Sequence, residues 1–359
     1  MNVEDAIRIL DDSSEADAWL FDLRFLDLVR AKTNLDSIAR SGITVDQFSC
    51  LIQQLMDCVG DISDPDMALN NLERFLAAAR NPISMGALFE RDPTALPILL
   101  RIFSASQFLS DLIVRDTESY DSLRLTEGQL YSRELLLEEL IDEVSRATES
   151  IQAMQILRRF KHRETLRIAF GDLIVGHRLE QTVEQISFLA DSIIDAARHF
   201  AWQELTKKMG RPMVADGGVC RYVVLALGKL GGSELNYSSD IDLIAIYESD
   251  GQTEVGGKSN QEFFQRLTRD MIKLLNESTS LGAAYRVDMR LRPEGSRGPV
   301  CSKSSAFLRY YDLQGRTWER QALIKARPVA GDLGFGNELL RKLEPWVYRP
   351  ILNLSLIHI

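Results

Sequence analysis

The sequence predicts an α+β protein, a long and largely helical front followed by a smaller mixed α/β unit. Three observations carry this expectation. Apolar residues recur at helical spacing almost without a break to about residue 205. The texture changes at Gly210, where Arg211-Pro212 and Gly217-Gly218 make a turn-rich break. Short apolar β-type runs then follow, separated by glycine loops and one helical stretch. The expected divisions are an N-terminal helical region at 1–120 and a second helical region at 121–209 leading into the next domain. An α/β domain that carries the chemistry follows at 210–330, and a further helical region begins at 331–359.

Taken in order, Asp12 with Glu15 reads as a variant capping box, and Trp19, Leu20, Leu23 and Leu26 follow at helical spacing, with Asp22 and Asp27 on the polar face. Leu72, Phe75 and Leu76 lie on a helix expected to stop near Asn81-Pro82, because proline disfavours helix at the residue before it. Pro93 and Pro97 bracket another start, followed by an apolar stretch over 98–114. Leucine-rich acidic helices are expected over 133–150 and 151–173. Within the second, Arg158, Arg159, Lys161 and Arg163 with Glu164 read as a solvated or ion-paired face. Beyond the break, strands are predicted over 222–227, 241–247 and 284–291, with a helix over 261–276. Helical character resumes over 305–311 and after Glu319.

With 359 residues, 45% hydrophobic and 26% charged, the chain is long enough for two or three domains with a sizeable core. Its net charge of -10 argues against gripping a nucleic-acid backbone as its main task, while leaving room for a small basic pocket. Cys50, Cys58, Cys220 and Cys301 form no paired motif, and the 4 histidines are not at ligand spacing, so reduced thiols and no structural zinc are expected. The start, Met1 to Asp5, is acidic and lacks the pattern of a signal peptide, and no stretch is apolar enough to span a membrane. A cytoplasmic protein is expected.

The informative segment runs from Ala226 to Ile244. A strand enters Gly228 and the pair Gly231-Gly232, where missing side chains would let backbone amides approach a phosphate. After Ser239 the chain re-enters a strand with Asp240 and Asp242, whose i, i+2 spacing points both carboxylates to one face. Two close carboxylates call for a cation, and oxygen ligands suit Mg²⁺ or Mn²⁺. Asp288 alternates with Arg286, Arg290 and Arg292, so it could complete the metal cage while guanidinium groups fork onto phosphate oxygens. The bland alternative is an edge strand with its charges in solvent. Glu319 and Lys325 lie on a helical stretch, where taken alone they read as ordinary surface charges.

These residues resemble the glutamine synthetase adenylyltransferase/adenylyl-removing family, within the nucleotidyltransferase superfamily of polymerase beta type. The matching segments are Gly228 to Asn236, Ser238 to Asp242, Tyr285 to Pro293 and Trp318 to Ala322, with the helix 158–173 also similar. The resemblance implies a nucleotidyltransferase α/β domain with a small mixed sheet flanked by helices. It also implies Asp240, Asp242 and Asp288 as catalytic metal ligands, with Gly231, Gly232, Ser239, Arg290, Arg292, Glu319 and Lys325 around nucleotide or phosphate. The implied partners are glutamine synthetase as protein substrate, ATP or ADP with phosphate, and a PII-type nitrogen-signalling protein, with neither nucleic acid nor membrane.

Arg286, Met289, Tyr310-Tyr311 and Arg320 are similar to the half that removes AMP by phosphorolysis, whereas Gln321-Ala322-Leu323 is similar to the half that attaches it from ATP. Attachment, and a non-catalytic nucleotide-binding module, therefore remain as alternatives. With one catalytic segment and an ending in Leu352 to Ile359, the chain is expected to be a fragment whose last few residues are not native sequence.

Overall fold

The computed structural model describes residues 13–349. Asp12, the expected capping partner of Glu15, and the tail 350–359 lie outside them. The chain divides into two compact units, Met1–Gln129 with Leu166–Arg178, and Leu130–Thr165 with Leu179–Ile359.

The first unit is built from α1 (Ser13–Asp22), α2 (Leu28–Ala39), α3 (Val45–Cys58), α4 (Pro65–Ala78), α5 (Pro82–Arg91), α6 (Ala95–Ala105), α7 (Gln107–Arg115) and α8 (Ser119–Leu125). Local chemistry sets most boundaries. Asp27, Thr44, Asp64, Asn81 and Ser106 each accept a backbone N–H at a helix start, and Thr44 with Gln47 forms a capping box. The apolar spacing read through Leu26 ends earlier, at Asp22. Arg24 takes a left-handed backbone with φ 68°, and Leu26 is left 90% exposed. The cause lies elsewhere in the chain, since Asp66 accepts the N–H groups of Leu26 and Asp27, freeing Asp27 to cap α2. The apolar stretch over 98–114 is likewise two helices, because Ser106 ends one and caps the next. The core gathers Leu69, Leu72, Phe75, Leu99, Phe103 and Tyr120, with Phe75 edge-on to Phe103 at 5.9 Å.

The second unit holds α9 (Arg133–Ser145), most of α10 (Ser150–Phe170) and the long α11 (Leu179–Met209), then β1 (Pro212–Val214), β2 (Tyr222–Leu227), the single turn α12 (Gly228–Gly231), β3 (Ile241–Tyr247), β4 (Gly251–Thr253), α13 (Asn260–Asn276), β5 (Val287–Asp288), β6 (Cys301–Lys303), α14 (Ser304–Leu313), α15 (Thr317–Leu323), β7 (Arg327–Gly331) and α16 (Leu333–Val347). The main sheet runs β5-β3-β2-β7, with β6 also on β3, and β1 pairs with β4 separately. It is mixed: β2 is antiparallel to β3 and β7, while β5 and β6 run parallel to β3. The α+β expectation therefore holds as a largely helical chain with one small mixed sheet.

Both faces of the sheet are covered, which is why β2 is apolar throughout and β3 is apolar from Leu243 onward. Val223, Leu225 and Leu227 pack on Phe307, Leu339 and Trp346 from the C-terminal helices. On the other face Tyr222 stacks on Phe264 of α13 at 5.3 Å. Two predicted elements differ. The strand over 284–291 shrinks to Val287–Asp288, because Asp288 turns back to accept the N–H of Arg290. The stretch after Glu319 contains β7 instead of continuous helix, and Val329 and Ala330 are fully buried against β2. All four cysteines are free thiols. No helix among the described residues is long and apolar enough to cross a membrane.

Candidate active site

Register brings the acidic residues together. Asp242 is the Cα partner of Leu227 on one side and of Asp288 on the other, so it lies between the end of β2 and the short β5. Ile241 and Leu243 are fully buried while Asp242 is half-exposed, as i, i+2 alternation requires. Asp240 sits one residue ahead of the strand, and Ile241 N–H bonds the Arg286 carbonyl at 3.1 Å to align the two segments.

Each outer carboxylate holds a guanidinium. Asp240 accepts from Arg286 Nε, and Asp288 accepts from Arg290 Nε at 2.8 Å and Nη2 at 2.5 Å. Arg286 and Arg290 are otherwise exposed, with side chains 79% and 80% accessible. Asp242 lies between the two pairs. Burial, then the negative charges of Asp288 and Asp240, raise its carboxyl above the ordinary carboxylate range. The Asp288 carboxyl is held low, chiefly by its hydrogen bond from Arg290. Among the described residues no three acidic, histidine or cysteine side chains form a ready cation cage. The donor set fits a hard divalent ion in type, three carboxylates near one strand end, with the two outer ones each paired to an arginine.

The expected phosphate residues divide. Gly231 is buried, and a Cβ there would run into the Lys325 carbonyl oxygen, so this glycine permits close backbone packing. The Gly232 amide bonds the Gly228 carbonyl at 3.1 Å within the turn. Lys325 crosses that turn to Glu234 at 2.6 Å. Ser239 turns its hydroxyl to the Asn236 side chain. Arg292 does not share the exposed face of Arg290, because its guanidinium donates to the Met289, Gly298 and Pro299 carbonyls and braces the loop after β5. Glu319 is 2% exposed and spends its carboxylate on Tyr310 Oη at 2.9 Å and on the Arg316 amide at 2.7 Å. The structure thus groups Asp240, Asp242, Asp288 and Arg290 at one strand end and Gly231, Gly232 and Lys325 at the neighbouring turn, with Arg292 and Glu319 engaged in their own loops.

Several roles escaped sequence reasoning. Gly228 adopts φ 58°, and a Cβ there would lie 2.7 Å from Asp242 Oδ2. Gly228→Ala is therefore expected to cost about 1–2 kcal/mol in backbone strain alone and to displace the central carboxylate, read as a lower urea midpoint together with lost activity. Asp191 of α11 is fully buried and takes both Nη atoms of Arg327, at 2.5 and 3.0 Å, while Arg327 also donates to the Leu230 carbonyl at 3.0 Å. Ser187 Oγ accepts the Leu235 N–H at 3.1 Å. One helix thereby braces the glycine turn at Leu230 and the loop after it at Leu235. The available signal was Asp191 and Asp195 interrupting the apolar stripe of Ile186, Leu189 and Ile193.

The basic run on α10 also reads differently in three dimensions. Arg163 is ion-paired with Glu139, Glu143 and Glu164, as the surface reading expected. Arg158, in contrast, is fully buried and bonded only to backbone carbonyls, and Lys161 donates to the Ala284 carbonyl at 2.6 Å. Burial, with repulsion from Arg158, pushes the Lys161 ammonium down to about 8 from 10.5. Between those values the unfolded chain binds more protons than the folded one, so this group's contribution to stability rises with pH across that window. Lys161→Met is expected to flatten the rise in urea-unfolding stability between about pH 8 and 10.

Comparison with known sequences identifies the family of the chain. Residues 96–342 match the family described as glutamate-ammonia ligase adenylyltransferase, and the chain belongs to that family. Relatives named bifunctional glutamine synthetase adenylyltransferase/adenylyl-removing enzyme include those of Hahella chejuensis, 39% identical over 73% of this chain, and Pseudomonas aeruginosa, 42% identical over 72%. The protein of the same name from Thioalkalivibrio sulfidiphilus is 41% identical over 71%. The matches cover only 28%, 27% and 27% of these relatives, so the chain spans little more than a quarter of their length.

Proposed function

We propose that this chain is a metal-dependent adenylyl-removing enzyme that frees AMP from adenylylated glutamine synthetase by phosphorolysis. In this reading residues 210–330 form a polymerase-beta-type nucleotidyltransferase domain, carried by helical regions at 1–120 and 121–209 and followed by the start of another at 331–359. The observation that carries the proposal is the pairing of Asp242 with Asp288 across adjacent strands, with Asp240 beside them and arginines on the two outer carboxylates.

Asp240, Asp242 and Asp288 would hold Mg²⁺ or Mn²⁺, which when bound would neutralise charge on the transferring phosphoryl group. Arg290, exposed and able to leave Asp288, orients orthophosphate as an anion. An orthophosphate oxygen forms the new bond to the AMP phosphorus while the bond to the tyrosine oxygen breaks. The proton carried by the attacking hydrogen phosphate ends on the tyrosine hydroxyl, and ADP leaves. The work of the chain is positioning and electrostatics, with no covalent enzyme intermediate. The Gly228–Gly231 turn, held by Asp191, Arg327 and Ser187, sets where the nucleotide phosphates approach. The protein would act in the cytoplasm on glutamine synthetase, with a PII-type nitrogen-signalling protein as a further partner.

The test supplies adenylylated glutamine synthetase and follows ADP release with and without orthophosphate. Phosphate-dependent ADP is the expected product. Release of pyrophosphate from ATP with unmodified glutamine synthetase would assign the opposite direction, and neither product would leave a binding module.

A further inference from the structure

The helix α10 carries two cations that the proposed chemistry does not use, and both are spent on the chain leading to Asp288. Arg158 has no exposed surface, and its partners are all carbonyl oxygens: Met154 at 2.8 Å on its own helix, Leu274 at 3.1 Å, Gly282 at 2.7 Å and Glu277. Leu274 and Glu277 lie at the C-terminal end of α13, where carbonyls lack helical donors and the helix dipole is negative. A fork of five N–H donors thus closes that helix end and the tight turn at Thr279–Gly282 together. One helical turn further along, Lys161 bonds the Ala284 carbonyl and lies 4.2 Å from the centre of the Tyr285 ring.

From these anchors the path to the site is short. Ala284 and Tyr285 N–H both return to the Leu275 carbonyl, at 3.0 and 3.1 Å, and the Val287 N–H takes the Asn276 side chain at 2.8 Å. Val287 and Asp288 then enter β5 in register with Ile241 and Asp242. β5 is only two residues long, so its ladder alone holds Asp288 weakly. Arg158 carries a charge into the interior and Lys161 a half-buried ammonium, a costly choice where apolar side chains would fill the space. What the cations add is a fixed direction for the chain entering the two-residue strand.

The geometry points to Arg158 and Lys161 as positioning residues that set the Asp288 carboxylate against Asp242 for the divalent cation. This rests on the metal-dependent reading above, and the test separates the two. Mn²⁺ alone is titrated into the full 359-residue chain, with bound metal read by paramagnetic resonance. The wild type is expected to bind at the carboxylates. Lys161→Met, folded by circular dichroism, should bind on the order of 10-fold more weakly, and Lys161→Arg should recover most of the loss. Arg158→Lys, which keeps the charge but loses the fork, should also bind more weakly. Tyr120→Phe, which removes a buried hydroxyl bonded to the Ala95 carbonyl, lowers stability without touching this path and should bind as wild type.

If folded Lys161→Met binds Mn²⁺ as tightly as wild type, the positioning role is overturned. Should that variant not fold, wild-type affinity in Arg158→Lys overturns it equally. A wild type that binds no Mn²⁺ instead removes the metal-dependent reading itself, and this inference with it.

Discussion

Asp242→Asn should lower phosphate-dependent ADP release by on the order of 10³-fold while leaving the fold intact, because a metal ligand's share of transition-state charge stabilisation is worth several kcal/mol. The amide keeps the shape of the carboxylate but cannot offer a negative oxygen to the cation. The sign of the stability effect separates this loss from misfolding. Burial and two neighbouring carboxylates raise the Asp242 carboxyl above its ordinary value, so the ionised form destabilises the folded state at neutral pH. Asparagine relieves that repulsion, and the melting temperature should stay level or rise as activity falls. The measurement pairs a thermal melt with the ADP assay on adenylylated glutamine synthetase. Near-wild-type ADP release from Asp242→Asn would end the proposed mechanism.

The second large effect concerns stability. Asp191→Ala leaves Arg327 without its bidentate partner and takes a charge away from Arg133 Nε at 3.6 Å. Breaking one side of a buried pair costs about 3–5 kcal/mol, which urea unfolding should show as a large drop in midpoint. The pair is not stabilising simply because it exists. Burial raises the Asp191 carboxyl to about 6 in spite of its arginines, which marks how much desolvation opposes the ion. Replacing both partners, with Asp191→Leu and Arg327→Met, should recover much of the lost stability. It should not recover activity, since Arg327 would no longer hold the Leu230 carbonyl at the glycine turn. An equal loss of stability in the single and double variants would count against this account.

The two variants probe different parts of the sequence signal. Asp242 was legible because a strand has a period of two, and two carboxylates within an apolar run share a face whatever surrounds them. Asp191 was invisible as a partner of Arg327, because 136 residues separate them and no local pattern encodes that distance. The same division runs through the whole chain. β2 and β3 were read residue for residue, β2 as a continuous apolar run and β3 as an apolar strand that carries Asp242. β7 was missed because its five residues, Arg-Pro-Val-Ala-Gly, are too short to show a period. Leu26 looked like part of a helix face until Asp66, 40 residues away, captured its amide.

By itself the sequence determined the helical front, the mixed α/β unit behind it and the central strands, and it singled out Asp240, Asp242 and Asp288 as candidates. These depend on periodicity, turn chemistry and charge along a few consecutive residues. Tertiary structure decided which cations meet carboxylates and which meet the backbone. Arg286 and Arg290 lie exposed on the carboxylates, whereas Arg158, Lys161 and Arg292 are turned toward carbonyl oxygens. An arginine has the same donors in either place, and only the packing around it fixes whether an acid or a peptide oxygen meets them.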